Sequence, residues 1–472
     1  MSVVTVQLGQ CGNQLGSQLF STLYDDACNA TRPGNQCFAY RDAAMDRFFV
    51  AKETGRVPNW QARAVLVDME SKVVQHSISE ARKSKKWEYD SLCVYTQKRG
   101  AGNNWANGYC NYGPGASDKV LDMVQRQVEK CDRVDGLLIL MSVAGGTGSG
   151  VGAYVTSTLR EEFPHTTILN QIVWPYSSGE VIVQDYNTVL TTAHLQKSSD
   201  AIILMQNDQL HKACSKLLLL KQISFSDINR VICHALASVV QPAIKFEHFK
   251  QCQGIEDPLL YQQCSLSDLQ GHLCPYPDYK LLSVKNIPQM PERSHAYSRY
   301  LWSGLLKHLR QMLITDAPTE EGMDWTMQLE SGSRISSLFS YRRDGPQRVA
   351  HVHCGVNKSL ANLVILRGNE LDTAEVSPFH DPQLYCRWVP ECSTSRTWFS
   401  GHMFNRYEKC CTLVSNSQSC LQPLDSVCQK AWNMFTSRAY VHQYLQYGLA
   451  EEEFLDSFVT VEQILKNYAT IG

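Results

Sequence analysis

Apolar positions in the first 210 residues come in two alternating kinds. Short runs at Ser2–Leu8 (SVVTVQL), Ala62–Asp68 (ARAVLVD), Gly136–Val143, Thr167–Val173 and Ala201–Met205 read as strands. Between them lie stretches whose apolar residues recur every three or four positions. Asn13 to Ala27 carries Leu15, Leu19, Phe20 and Leu23 at helical spacing, after a turn at Gly9–Gly12. Asp118–Cys131 carries Val120, Leu121, Val124 and Val128, with Ser117 placed to cap it, and a further helix is predicted over Gly148–Glu162. Nearly continuous apolar strands belong to sheets covered on both faces. Their alternation with helices predicts an α/β fold with a doubly wound, mostly parallel sheet.

The pattern changes after residue 212. Ser224–Val240 (SFSDINRVICHALASVV) reads as a long amphipathic helix capped by Ser224 or Ser226, and Phe246–Gln263 as a polar loop. Beyond it, Ser298–Leu313 predicts a helix, and Asn362–Arg367 and Thr412–Ser415 predict strands. Two helices close the chain, Leu424–Tyr447 and Ala450–Asn467, separated by the helix-ending Gly448. Three parts follow: the doubly wound domain over 1–212, the long helix with a second, intermediate α/β domain over 213–415, and a C-terminal helical hairpin over 416–472.

Composition narrows the functional classes. The 472 residues exceed one compact core, and 43% hydrophobic with 19% charged residues suits an ordinary globular chain. A net charge of −2 gives no support for nucleic-acid binding by bulk electrostatics, and the basic run Arg82–Lys86 reads as a solvated helix end. The N-terminus lacks the features of a signal peptide, and no apolar run nears the roughly 18 residues that span a bilayer. The expectation is a soluble intracellular protein with no membrane partner. The 18 cysteines include no C-x-x-C pair and read mostly as buried thiols. His351, His353 and Cys354 are too close along one strand for all three to face one ion, so they read as strand rather than metal site.

Three small-residue loops carry the candidate chemistry. Leu137–Gly150 (LLILMSVAGGTGSG) runs from a buried strand straight into glycines and small hydroxyls. It lacks the Lys of a P-loop and does not satisfy G-x-G-x-x-G, which makes a nicotinamide-dependent oxidoreductase remote. Its backbone amides can still bind phosphate at the start of a helix. Without a lysine, a metal ion is the natural counter-charge, and Asp68 and Glu70 (VLVDME) at a strand end could hold hydrated Mg²⁺. Gly100–Asn104 (GAGNN), followed by Trp105, and Gly9–Gly12 (GQCG) are the other two loops, and one sheet edge can bring all three together.

GQCGNQ (Gly9–Gln14), VLVDME (Val65–Glu70), GAGNNWA (Gly100–Ala106) and AGGTGSG (Ala144–Gly150), in this order and spacing, resemble the tubulin family. So do ISFSDIN (Ile223–Asn229), PYP (Pro275–Pro277) and SRAYVHQY (Ser437–Tyr444). Within that family the chain is most similar to the delta-tubulins, through WPY after Ile172, SVKNIP (Ser283–Pro288), GLLKHLRQML (Gly304–Leu313) and SNSQ (Ser415–Gln418). The resemblance covers almost the whole chain and is thinnest over 246–263 and 316–350.

The resemblance implies a GTP-binding first domain with GTP or GDP and Mg²⁺ as cofactors. Gln10 and Cys11 would contact the phosphates, Asp68 and Glu70 would govern Mg²⁺ and the γ-phosphate side, and Gly102 and Asn103 would close over the γ-phosphate. Ser142 with Ala144, Gly145, Gly146, Thr147, Gly148, Ser149 and Gly150 would form the main phosphate loop; Ala144 stands where the family has a first glycine. Glu180 and Gln184 would lie near the ribose, Asn207 and Asn229 would read the guanine edge, and Phe225 would stack on the base. Phe225 could equally be core packing, and Cys11 an unreactive buried thiol.

In the family a glutamate from the next subunit, in a stretch shaped like N-x-D-x-x-E, drives hydrolysis. Matching the start of that stretch puts Gly271 at the acid position, whereas counting back from PYP puts Asp268 there. Either way the glutamate is absent, and Asp268 is the only acid of the loop. The chain also ends without an acidic tail, so no tail-mediated recruitment is expected. The resemblance implies a cytoskeletal role at centrioles, centrosomes and ciliary basal bodies, including triplet microtubules. Implied partners are alpha/beta- and epsilon-type tubulins and centriolar proteins. The alternative is a self-polymerising GTPase that hydrolyses GTP between subunits.

Overall fold

A computed structural model describes residues 1–30, 37–52, 59–179, 181–245, 260–295, 297–329 and 356–472. The strands of the first half are β1 (Ser2–Leu8), β2 (Phe49–Lys52), β3 (Asn59–Ala62), β4 (Ala64–Asp68), β5 (Trp87–Glu88), β6 (Val94–Thr96), β7 (Val134–Ser142), β8 (Thr167–Trp174) and β9 (Ala201–Gln206). The second half adds β10 (Ile244–Lys245), β11 (Leu281–Ile287), β12 (Ser359–Gly368), β13 (Ser395–Ser400) and β14 (Lys409–Ser417).

Six strands form a parallel ladder in the order β6-β4-β1-β7-β8-β9. β1 pairs β7 with Thr5 opposite Leu138 and β4 with Val6 opposite Val65. The order reverses between β1 and β7, so their following loops diverge and leave a crevice at the carboxyl ends. The sheet continues where Leu281 and Leu282 of β11 pair in parallel with Ile202 and Ile203 of β9. Through this short junction β14, β12, β13 and β10 complete eleven strands. β2, β3 and β5 form a separate three-stranded sheet.

The helices are α1 (Gly9–Asn29), α2 (Phe38–Phe48), α3 (Ser71–Ser84), α4 (Gly113–Glu129), α5 (Gly152–Glu162), α6 (Gln184–Ser198), α7 (Asn207–Lys212), α8 (Phe225–Val240), α9 (Leu266–Leu273), α10 (Trp302–Thr315), α11 (Leu421–Thr436), α12 (Val441–Leu445) and α13 (Glu451–Ala469). They cover both faces of the parallel sheet. Leu138 and Leu140 of β7 join the core of α1, α2, α8 and α9, while Leu137, Ile139 and Met141 join that of α4, α5, α6, α11 and α13. The unbroken apolar run of β7 is thus needed on both sides. None of the described helices is long and apolar enough to cross a membrane.

Several expected elements differ in detail. Gly9–Gly12 is the first turn of α1 rather than a free turn. Ala62–Asp68 is two strands, because the Arg63 amide bonds the carbonyl of Phe48 while its own carbonyl accepts from Thr5, so residue 63 steps from one sheet to the other. The helix expected from Asp118 starts at Gly113 with Pro114 in its first turn, which proline tolerates. Ser117 therefore lies inside it and caps nothing. Leu424–Tyr447 is broken into α11 and α12 by a left-handed Arg438 (φ 57°), with the Ala439 amide bonding Met434 five residues back. Ser224, not Ser226, caps α8: its Oγ accepts from the Asp227 amide, and the Asp227 carboxylate accepts from Ser224. Ten of the sixteen described cysteines are buried, and none of the sixteen is in a disulfide. His351, His353 and Cys354 lie outside the described residues.

Candidate functional site

The crevice between β1 and β7 is closed by direct backbone contact. Gly9 has φ +70°, and a Cβ there would sit 2.8 Å from the Gly148 amide nitrogen, so only glycine fits. Asn13 on α1 is fully buried, and its Nδ2 donates to the Gly9 carbonyl at 2.9 Å and the Val67 carbonyl at 3.1 Å. This side chain ties the loop after β1 to the end of β4, one residue before Asp68.

The loop after β6 closes on the same rim. A Cβ on Gly146 would meet the Asn104 amide nitrogen at 2.8 Å and Ala101 Cβ at 2.9 Å, and one on Gly145 would approach Asn103 Oδ1 at 3.8 Å. The Glu70 carboxylate lies against Gly100. Gly102 (φ +65°) and Asn103 (φ 54°) are exposed, and nothing lies within 4 Å of where a Gly102 Cβ would stand. Gln10 is exposed and Thr147 half-buried on the same rim. Thr147–Val151 forms a π-turn that runs directly into α5. There the Ser149 hydroxyl donates to the Gly145 carbonyl, and the Gly150 amide donates to the Gly146 carbonyl at 2.9 Å. Ser142 Oγ accepts from the Ala144 amide at 3.4 Å. Carbonyls of this loop are thereby satisfied within it, while first-turn amides lack intrahelical partners.

The electrostatics of the rim turn on Asp68, which is 4% exposed. Its Oδ1 accepts from the Glu70 amide at 3.3 Å, but its Oδ2 has no hydrogen-bond partner. Burial pushes this carboxyl up to about 6. A buried, half-satisfied carboxylate beside the exposed Glu70 suits a hard divalent cation that takes oxygen ligands and keeps several waters. Cys11 is half-buried, and burial pushes its thiol up to about 12, so it stays protonated and is no nucleophile.

The far side of the crevice lies beyond β9. Asn207 opens α7 directly after that strand, and Asn229 is buried in α8. Phe225, the first residue of α8, is 54% exposed, which rules out the core-packing reading and leaves its ring accessible. Gln184 is buried, and its Nε2 donates to the Tyr176 carbonyl at 2.9 Å, fastening the loop before α6. Glu180 lies outside the described residues.

Asp268 is at the other end of the molecule's strands. It is the third residue of α9, whose Leu266 amide bonds both carboxylate oxygens of Asp135 at 3.1 Å, and Asp135 is the second residue of β7. Seven residues of extended strand separate Asp135 from Ser142, roughly 23 Å. Burial alone would raise the Asp268 carboxyl. Lys245 at 2.7 Å and the Ser265 hydroxyl and amide at 2.6 and 3.2 Å instead hold it below its ordinary value. Gly271 is exposed on α9, with nothing within 4 Å of where its Cβ would stand.

Two polar anchors escaped the reading of the sequence. Asn13 stands inside GQCGNQ but shows its purpose only through contacts with Gly9 and Val67. Asn187 lies in α6, for which periodicity gives no signal, since that helix is buried almost all round.

The topology and the rim together define a protein of the doubly wound nucleotide-binding class, with lysine-free glycine loops gathered at the switch point. Residues 2–215 match the GTPase-domain model of the Tubulin/FtsZ family. Along its full length the chain is 46% identical to the tubulin delta chains of Macaca fascicularis, Homo sapiens and Mus musculus, over 475, 478 and 476 residues and 100% of each partner. The chain belongs to the tubulin family. It is accordingly a GTP-binding cytoskeletal protein, with other tubulins as the partners its family suggests.

Proposed function

We propose that the rim binds GTP or GDP with Mg²⁺ through the residues it gathers. The observation that carries this reading is the meeting of three glycine loops beside Asp68 Oδ2, an unpartnered buried acceptor, with no lysine in any of the loops. Gln10, Cys11, Ser142 and the Ala144–Gly150 loop hold the phosphates. Gly102 and Asn103 cover the terminal phosphate. Asn207, Asn229 and the exposed Phe225 take the base, with Glu180 toward the ribose. Asp68 and Glu70 hold the cation, which neutralises phosphate charge when bound. Gly146→Asp puts a carboxylate against Ala101 and Asn104, and the purified variant is expected to contain no guanine nucleotide where the parent contains it. A variant that retained the nucleotide would overturn the site.

We further infer a role at centrioles and basal bodies of cilia, in triplet microtubules, through contacts with alpha/beta- and epsilon-type tubulins and centriolar proteins. Full-length similarity to tubulin delta chains supports this reading. Loss of a tagged Gly146→Asp chain from centrioles, with retention of the parent, is the expected result. Asp268 stands some 23 Å of strand away from the chain's own phosphate loops and is engaged by Lys245 and Ser265. The chain alone is therefore a poor hydrolase. Asp268→Ala is expected to leave its turnover unchanged; a loss would favour the self-polymerising GTPase.

A further inference from the structure

Asn187 belongs to none of the glycine loops, yet its whole hydrogen-bonding capacity is spent on two of them and on the C-terminal segment. It is completely buried. Its Nδ2 donates to the Asn103 carbonyl at 2.8 Å and to the Ala144 carbonyl at 2.7 Å. Its Oδ1 accepts from the Trp105 amide at 3.0 Å and from the Tyr444 hydroxyl at 2.6 Å. A carboxamide offers two hydrogens and two lone pairs, so these four bonds saturate it. Tyr444, on α12, is also completely buried. Two more bonds seat the same segment: Asn104 Nδ2 to the Gln443 carbonyl at 3.4 Å, and the Tyr186 hydroxyl to the Ala439 carbonyl at 2.9 Å.

The position of this hub gives it a direction. Phe225 and Asn229 flank the rim beyond β9, while the loop after β6 closes it at the opposite end of the six strands. A nucleotide lying across the strand ends with its base at α8 therefore presents its last phosphate to Gly102 and Asn103. Their outer side is open, and the backbone on their inner side is fixed by Asn187.

We propose that Asn187, oriented by Tyr444, is a positioning residue that sets the backbone of 103–105 and Ala144 for the terminal phosphate, so that α12 and the triphosphate favour one loop geometry and each strengthens the other. This rests on the reading of the rim as a guanine-nucleotide site. Differential binding of this kind is reciprocal.

The test uses the full chain with GTP and GDP as separate ligands. Tyr444→Phe removes one oxygen and is expected to weaken GTP about fivefold, the worth of one buried hydrogen bond, while GDP binding is unchanged. Asn187→Ala, which removes all four bonds, is expected to weaken GTP more strongly still. GTP is expected to slow hydrogen exchange at the Trp105 amide in the parent but not in Tyr444→Phe. Equal weakening of GTP and GDP in Tyr444→Phe would reduce the pair to scaffolding and overturn the proposal, as would an unchanged GTP preference. Should Asn187→Ala fail to fold, Tyr444→Phe decides alone. A parent protein that binds neither nucleotide would instead sink the site itself, and this inference with it.

Discussion

The two ends of the parallel strands hold buried carboxylates in opposite circumstances. At the amino end, Asp135 has the Leu266 amide on both oxygens and the Arg47 guanidinium at 3.9 Å. At the carboxyl end, Asp68 has one backbone donor and an oxygen with no partner. Burial raises both carboxyls, but only Asp68 lacks compensation within the chain. A fold satisfies its buried polar groups where they serve structure. Asp68 Oδ2 stands beside three glycine loops, where a cation and a phosphate would complete it. The same contrast separates Asp268, saturated by Lys245 and Ser265, from the open Gly102–Asn103 crest.

Breaking the amino end should cost the most stability. Arg47 donates to the carbonyls of Val240 and Cys264 at 2.9 and 2.8 Å besides facing Asp135. Arg47→Met leaves a buried charge and two carbonyls unpaired, and should destabilise the chain by about 3–5 kcal/mol in denaturant titrations. Its nucleotide content per folded molecule should not change.

Asn13→Ala cuts two buried bonds at the carboxyl end and should cost about 1–3 kcal/mol. Unlike Arg47→Met, it should also loosen nucleotide binding, because Gly9 and Val67 lose their tie. Equal effects on binding from both variants would erase the distinction between the ends.

Asp68→Asn should act in the opposite sense in metal-free protein. The folded value near 6 lies above the ordinary 3.8, so the native state holds the proton more tightly than the unfolded chain. Stability therefore falls as pH rises from about 4 to about 6. Asp68→Asn should remove that loss and stabilise the metal-free chain at pH 7, on the order of 1 kcal/mol after discounting for water that still reaches the carboxylate. Magnesium should raise the melting temperature of the parent and not of the variant. His272, on α9 at the other end, titrates with the reverse sign. Burial lowers it from 6.5 to about 4, so its contribution is lost as pH falls through that window, and Asp68→Asn should leave this acid-side loss intact.

The smallest effect belongs to Lys245→Ala. The Lys245–Asp268 pair is about a third exposed, and its loss should cost under about 1 kcal/mol in a thermal scan. A larger loss would mean that the amino end depends on Asp268 as heavily as on Asp135.

Much of this was legible from residue order. β1, β7, β8 and β9 run within one or two residues of their predicted limits, and α8 begins at Ser224, one of the two caps expected for it. Those features arise from neighbouring positions: runs of apolar side chains, or a hydroxyl three residues from a carboxylate. α6 lacks an amphipathic stripe because sheet, α5, α11 and α13 surround it, so periodicity cannot reveal it. The break after α11 carries no glycine and is fixed by Arg438 adopting a left-handed conformation.

The chain's own order determined the doubly wound sheet, the three small-residue loops at its strand ends and the family to which they belong. These depend on local side-chain volume and polarity. Only the tertiary structure decided that Asp68 keeps an unpartnered oxygen, that Asp268 lies at the opposite end with both oxygens engaged, and that Asn187 joins Asn103, Ala144, Trp105 and Tyr444. Those partners are 43 to 257 residues distant from Asn187, and a hydrogen bond registers the distance between atoms in space, which residue order does not encode.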